Sequence, residues 1–261
     1  MKLISLNVAL KIDNSKEIGK FIKSQNPDFV AYQEIMRPLE KKVFKIYRSQ
    51  EDINKIAKFP YKFFGPKWIA SKFMKNGKLH MDFGGLVEQG NEIMSKFPII
   101  SATNEHFYQH YSDCLDSTNW TNEDEPRSVV IAEIEVKGKK LQILNLHGTW
   151  SKDKMGGERA LSQCKYILKA AKRKNIPTII VGDFNLLPET KGIRLIGKEF
   201  RSLITELGIK STRPKFDDGT DKGENVIDYV FVNDKIKVKD FRVIDTKISD
   251  HLPLILDFEI I

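Results

Sequence analysis

The stretch TIIVGDFN, residues 178–185, runs four β-branched residues into Gly182, Asp183 and Asn185. A carboxylate set beside an apolar run is costly unless it is paired or bound to a metal. A simple Gly-Asp-x-Asn turn is the alternative, since these residue types favour turns. The same question recurs along the chain. Asn7 closes KLISLN, Glu34 closes DFVAYQE and His147 closes LQILNLH. Asp228 lies inside the apolar run VIDYVFV, where a carboxylate calls for a partner such as a histidine on a neighbouring strand; an edge strand facing water is the alternative. Asp250 and His251 stand side by side in ISDHLPLIL. An extended backbone there would send them to opposite faces, one toward a metal and one toward a substrate. Each residue alone has a bland explanation: a surface acid for Glu34, a satisfied core imidazole for His147, turn-bonded amides for Asn7 and Asn91.

The elements that must position these groups repeat one pattern. KLISLNVAL alternates like a half-buried strand, and Ile18, Phe21 and Ile22 mark a helix over residues 15–25 that Asn26-Pro27 stops. DFVAYQE is the next strand. In the second half LQILNLHGTW is a strand, and residues 158–174 form a helix with Leu161, Cys164, Leu168 and Ala171 on one face. TIIVGDFN follows after Pro177. Cys164 reads as core packing. Further strands are expected at FGGLVEQGNEIMSK, SVVIAEIEV, VIDYVFV and PLILDFEI. The polar residues thus gather at the carboxyl ends of strands, where open α/β sheets bind ligands. Two packed sheets covered by outer helices is the economical architecture. Residues 66–82, 109–126 and 210–225 are expected as long surface loops.

Composition fits a soluble globule, with 41% hydrophobic and 30% charged among 261 residues, and no linker divides the chain into more than one domain. Two cysteines, Cys114 and Cys164, build neither a disulfide framework nor a zinc site. The N-terminal apolar stretch is interrupted by Asn7 and closed by Lys11 and Asp13, unlike a signal peptide. A cytoplasmic, monomeric protein without membrane insertion is the expectation. The net charge, 43 − 35 = +8, favours a polyanionic partner.

Asn7, Gln33-Glu34, GNEIMSKFPI, NLHGTW, GDFN, IDYVFV and SDHLPL occur in an order that resembles the endonuclease/exonuclease/phosphatase superfamily. The resemblance runs from residue 7 to 251. It implies an α/β fold, a four-layered α/β/β/α sandwich of two packed mixed sheets, with a metal-dependent phosphoester hydrolase site. By position, Glu34 resembles the principal metal ligand with Asn7 beside it, and Asp250 completes the metal side. Asp183 is similar to the residue that orients or deprotonates the attacking water, and Asn185 fixes its neighbours. Asp228 resembles the partner of His251, while His147 and His251 hold phosphate oxygens. Asn91 matches a further site amide. Hard oxygen ligands suit Mg²⁺ or Mn²⁺. Whether Asp183 or His251 is the base stays open.

His147 departs from the abasic-site endonucleases. STRPKF, which holds Arg213, lacks the Thr-Trp pair common in DNA-repair members. For the substrate, PKWIASKFMKNGK interleaves Lys67, Lys72, Lys75 and Lys78 with Trp68 and Phe73, a pattern suited to single-stranded nucleic acid. Trp68, Lys72, Lys75, Trp150 and Arg213 are the expected substrate contacts. Asp113, Asp116, Glu123, Asp124 and Glu125 oppose a phosphate backbone. A nucleic-acid phosphodiesterase leads, followed by a phosphatase or phospholipase on a small or lipid phosphate, then by an inactive binding module on the same fold.

Overall fold

The computed structural model describes residues 1–9, 14–75, 77–113, 121–215 and 225–261, so Lys11, Asp13, Cys114 and Asp116 lie outside the described residues. Two six-stranded mixed sheets pack face to face. The first holds, in spatial order, β11 (Ile236–Val243), β12 (Leu254–Ile260), β1 (Lys2–Asn7), β2 (Phe29–Pro38), β4 (Lys78–Ser95) and β3 (Tyr61–Lys75). The second holds β5 (Ile99–Tyr108), β6 (Arg127–Val136), β7 (Lys139–His147), β8 (Thr178–Asp183), β10 (Asp228–Val232) and β9 (Arg201–Ser202). Helices α1 (Ser15–Gln25) and α2 (Ser49–Ala57) cover the first sheet. Helix α3 (Glu158–Ala171) packs on the second, beside the short α4 (Lys191–Gly197) and α5 (Leu203–Glu206). Among the described residues no helix is long and apolar enough to cross a membrane.

Strand alternation decides which side chains meet between the sheets. On β1, Leu3 joins the core shared with the second sheet, whereas Ile4 and Leu6 pack with Ile18 and Ile22 of α1 and Ile53 of α2. Asn7 continues the inward row of Leu3 and Ser5. On β2, Phe29 and Ala31 point inward, and Gln33 bonds across the interface to Asn145 Oδ1 at 2.6 Å. One step later the pairing with β4 slips, Tyr32 facing Glu92 but Ile35 facing Gly90. This bulge puts Glu34 at φ 60°, a left-handed conformation uncommon for Glu. It re-aims the carboxylate out of the sheet.

On β8 the constraint is Gly182. A Cβ there would lie 2.0 Å from Leu146 O, and its φ is 136°. Only glycine lets β8 approach β7 this closely just before Asp183.

Two sequence expectations need correction. Residues 66–75 and 78–82 are not a loop but the outer half of the β3–β4 hairpin, paired out to Lys75 and Lys78. Lysines on exposed positions hid the alternation of a long ribbon. Register slips at Pro66/Trp68 also place Lys67 and Trp68 consecutively inside, which simple alternation forbids. The helix expected over residues 158–174 ends at Ala171, with Cys164 fully buried as core. In the other two expected loops, residues 114–120 and 216–224 lie outside the described residues. The described remainder has no helix or strand.

Candidate active site

The register sets one row of side chains across the second sheet. His147 on β7 is the partner of Asp183 on β8, and Asp183 is the partner of Asp228 on β10. Asn7 reaches this row from the first sheet. Its Nδ2 donates to Asp183 Oδ2 and to Glu34 Oε1, both at 3.1 Å. Asp183 Oδ1 accepts the backbone N–H of Asn185 at 2.8 Å, a tight turn that fixes the carboxylate's rotamer. The Nε2 atoms of His147 and His251 lie 3.7 and 3.6 Å from the same Asp183 Oδ2. Asp183 therefore stands between two imidazoles, 2% exposed.

Asp228 is the first residue of β10 rather than a mid-strand one. Its oxygens lie 3.0 and 2.9 Å from His251 Nδ1, and Thr212 Oγ1 donates to Oδ2 at 2.6 Å. Burial raises the Asp228 carboxyl from its ordinary value, against the pull of His251. Burial works against charge on His251, yet the carboxylates of Asp228 and Asp183 outweigh it and raise the imidazole. Asp250 and His251 do not diverge to opposite faces. The chain here bends before β12 begins, and Arg213 touches both, Nη1 at His251 Nε2 and Nη2 at Asp250 Oδ2, the latter at 2.6 Å. Asp250 is thus engaged by a guanidinium.

Glu34 borders the same cleft and lies 3.7 Å from His147 Nε2. Burial raises its carboxyl, partly offset by Lys67 and reinforced by Asp250 and Glu125. His147 is held well below its ordinary value, first by burial and then by the charges of Lys67 and Arg127. Asn7, expected on the metal side beside Glu34, accepts the Ala9 N–H on Oδ1 at 3.0 Å and donates from Nδ2 toward the carboxylates. It orients Glu34 and Asp183.

Other expected contacts scatter. Asn185, at φ 55°, receives Lys154 Nζ on Oδ1 at 2.6 Å and borders the cleft. Asn91 is fully buried, donates to Ser128 O at 2.9 Å, and is not among the cleft-lining residues. Trp68 borders the cleft but is 1% exposed, packed on Phe83 and bonded through Nε1 to Glu125 Oε1 at 2.9 Å. A ring so packed offers no face to a base. Lys72 and Lys75 are exposed on the hairpin. Trp150 borders the cleft, with Lys154 Nζ 4.8 Å from its ring centroid. Glu125 was expected to repel phosphate, but it is buried and paired with Lys67 and Arg127, each at 2.7 Å. Arg127, Lys152 and Thr212 went unrecognised as site residues, and Lys67, expected only as one lysine of a basic stretch, is buried beside His147. No spacing in the sequence marks a lysine buried by a register slip.

The cleft holding these groups has a volume of about 650 Å³. Its chemistry suits a divalent cation. Asp183, Asp228 and His251 offer ligand atoms within 4.8 Å of one another. Burial first, and then Asp250 and Glu125, disfavour charge on Glu34 and Lys67 only partly offsets them; a hard cation would favour the ionised carboxylate.

Residues 4–251 match the model of the Endonuclease/Exonuclease/phosphatase family. No curated protein sequence matches the chain. Among solved structures, an endonuclease/exonuclease/phosphatase from Beutenbergia cavernae DSM 12333 is similar at 15% identity and TM-score 0.74, covering 100% of this chain and 71% of that one. The human nocturnin catalytic domain with bound sulfate is 16% identical at TM-score 0.66, with coverages of 100% and 93%. A mannosyl-6-phosphatase from Bacteroides thetaiotaomicron VPI-5482 is 15% identical at TM-score 0.64, with 99% of both chains covered. At these identities the likeness is one of fold. The family match is broader in what it carries, because it spans Asn7, Glu34, His147, Asp183, Asp228 and His251 together. By that match the chain belongs to the endonuclease/exonuclease/phosphatase family, whose members are generally phosphoester hydrolases.

Proposed function

We propose that the chain is a divalent-metal-dependent phosphodiesterase acting on nucleic acid. The observation that carries this reading is Asp183 Oδ2 set between two imidazole Nε2 atoms, at 3.7 and 3.6 Å. A carboxylate in that position orients an attacking water, while the imidazoles meet the phosphoryl oxygens. Glu34 would hold Mg²⁺ or Mn²⁺ with Asp250 once Arg213 gives way, and Asn7 orients Glu34. When bound, the ion polarises a phosphoryl oxygen and stabilises the leaving oxygen. Asp228 keeps the His251 Nδ1 proton engaged, which directs Nε2 toward the cleft.

Lysines on both sides of the cleft support a polyanionic substrate. Lys72 and Lys75 lie on the hairpin that carries Phe73 to the cleft, and Lys152 and Lys154 border it from the segment after β7. A phosphatase on a small phosphorylated molecule is the second reading. The cleft volume favours it, since about 650 Å³ is the size of a small-molecule site.

An activity panel with Mg²⁺ or Mn²⁺ separates the readings, with Asp183→Ala as the blank. It spans single- and double-stranded DNA, RNA, 5′-tyrosyl DNA, sphingomyelin, inositol phosphates and sugar phosphates. Cleavage of nucleic acid that weakens steeply with salt supports the first reading. Turnover of a sugar or lipid phosphate alone, with no nucleic acid binding at low salt, overturns it.

A further inference from the structure

Lys67 is fully buried on β3, and its Nζ lies 3.0 Å from His147 Nδ1 and 2.7 Å from Glu125 Oε1. We infer that Lys67 is a positioning residue that fixes the tautomer of His147, leaving its Nε2–H as a hydrogen-bond donor to a phosphoryl oxygen and excluding it as a base.

The inference rests on donor counting. A lysine ammonium has only hydrogens to offer, so the atom it meets on the imidazole must be a bare, accepting nitrogen. Nδ1 is that atom, and a neutral ring then carries its proton on Nε2. That nitrogen faces Glu34 Oε1 and Asp183 Oδ2, 3.7 Å from each, and so points into the reaction centre. Burial lowers the Lys67 ammonium from its ordinary value, and Glu125, paired with it at 2.7 Å, opposes that and favours the charged form. That carboxylate accepts from Lys67, from Trp68 Nε1 and from Arg127 Nη2, and its acidity is enhanced by the two cations despite burial. A second proton on His147 would face an ammonium at Nδ1. The chain Arg127–Glu125–Lys67–His147 is therefore a fixed line of alternating charge ending in one aimed donor.

In its neutral form His251 carries the opposite tautomer to His147. His251 presents Nδ1 to Asp228, and Arg213, also a donor only, requires a bare Nε2 when it sits on that atom. Proton transfer then belongs to Asp183 or His251, and His147 supplies electrostatic stabilisation alone. The catalytic part of this inference rests on the phosphoester reading, but the tautomer does not.

Long-range ¹H–¹⁵N correlation spectra of the wild-type protein, assigned with His147→Gln, test the tautomer without any substrate. The expected result is one proton on Nε2 and a pyridine-type Nδ1. A proton on Nδ1, or on both nitrogens, overturns the inference. Kinetics on a small chromogenic phosphodiester test the consequence. Lys67→Met should lower kcat by about 10²–10³-fold, as for the loss of one preorganised donor, with KM little changed. In a His147→Gln background the same change should cost little more, because the lysine acts through the ring. A folded Lys67→Met with unchanged kcat, or an equal loss in both backgrounds, overturns the positioning role. Where Lys67→Met fails to fold, the wild-type spectrum decides. An inactive protein with the expected tautomer would sink the proposed function and leave this inference standing.

Discussion

Asp183 and Asp228 are register partners across the β8–β10 pair, and His251 reaches both, with Nδ1 2.9 Å from Asp228 Oδ2 and Nε2 3.6 Å from Asp183 Oδ2. Adjacent strands therefore hold the two carboxylates on opposite ends of one imidazole. If Asp228 acts only by holding that ring, Asp228→Asn and His251→Ala should each lower kcat by about 10²–10⁴-fold. The double variant should then be no slower than the worse single one. Rate penalties that multiply would show two independent roles.

Glu34 is the candidate cation ligand whose carboxyl is raised by burial and by neighbouring acids. Calorimetric titration of Mg²⁺ should give clearly weaker binding for Glu34→Gln than for the wild type, with the fold retained. Equal affinities would remove Glu34 from the metal site. In the absence of metal, the variant should be at least as heat-stable, because a charge disfavoured by burial has been removed while the backbone is unchanged.

Trp68 and the hairpin lysines separate stability from binding. Trp68→Ala should cost about 3–5 kcal/mol in denaturant unfolding, the range for removing a buried aromatic side chain. Lys72→Ala with Lys75→Ala should leave stability nearly unchanged. On single strands this pair should flatten the salt dependence of binding by about 0.7 log units per lost contact. An unchanged slope, despite wild-type binding, would move the electrostatic contact elsewhere, with Lys152 the next candidate.

Glu92 provides a pH test away from the chemistry. It is 2% exposed on β4, and burial raises its carboxyl to about 7 from 4.5. Gln50 Nε2 donates to Oε1 at 2.9 Å, which only partly offsets the burial. Because the folded value is raised, its contribution to stability is fully present below pH 4.5 and lost as pH rises through about 7. The loss above that pH is on the order of 3 kcal/mol. Glu92→Gln should accordingly raise Tm at pH 8 and change it little at pH 4. An equal Tm difference at both pH values would show that Glu92 does not ionise in this window.

The two-sheet fold was legible because strand patterning is local: β1, β7 and β8 each end at a polar residue that breaks an apolar run. Glu34, expected to end its strand, interrupts β2 at the bulge, and the strand runs on to Pro38. Asp183, His147 and Glu34 could be suspected for the same reason. What stayed hidden depends on pairing. The hairpin of β3 and β4 was concealed by surface lysines, and its register slips buried Lys67 and Trp68 against ordinary alternation. Glu125 looked like one more acid of a charged loop, and only the burial of Lys67 and Arg127 beside it shows otherwise. The Arg213 contact with Asp250 joins segments 37 residues apart, and nothing in either segment announces it.

The place of β1 has a consequence for synthesis. It lies between β2 and β12, pairing Lys2 with Asp257 and Ser5 with Leu254, and Ser249 Oγ caps the backbone carbonyl of Asn7 at 2.6 Å. A chain emerging from the ribosome therefore lacks one neighbour of its first strand until residues 254–260 have left the exit tunnel. The second sheet can fold earlier, since β5 to β10 precede them. Asn7 gains its backbone anchor, and the row of Asp183 and Asp228 gains His251, only with the closing segment. A nascent chain that has not yet released residues 249–260 should bind neither cation nor substrate at this site.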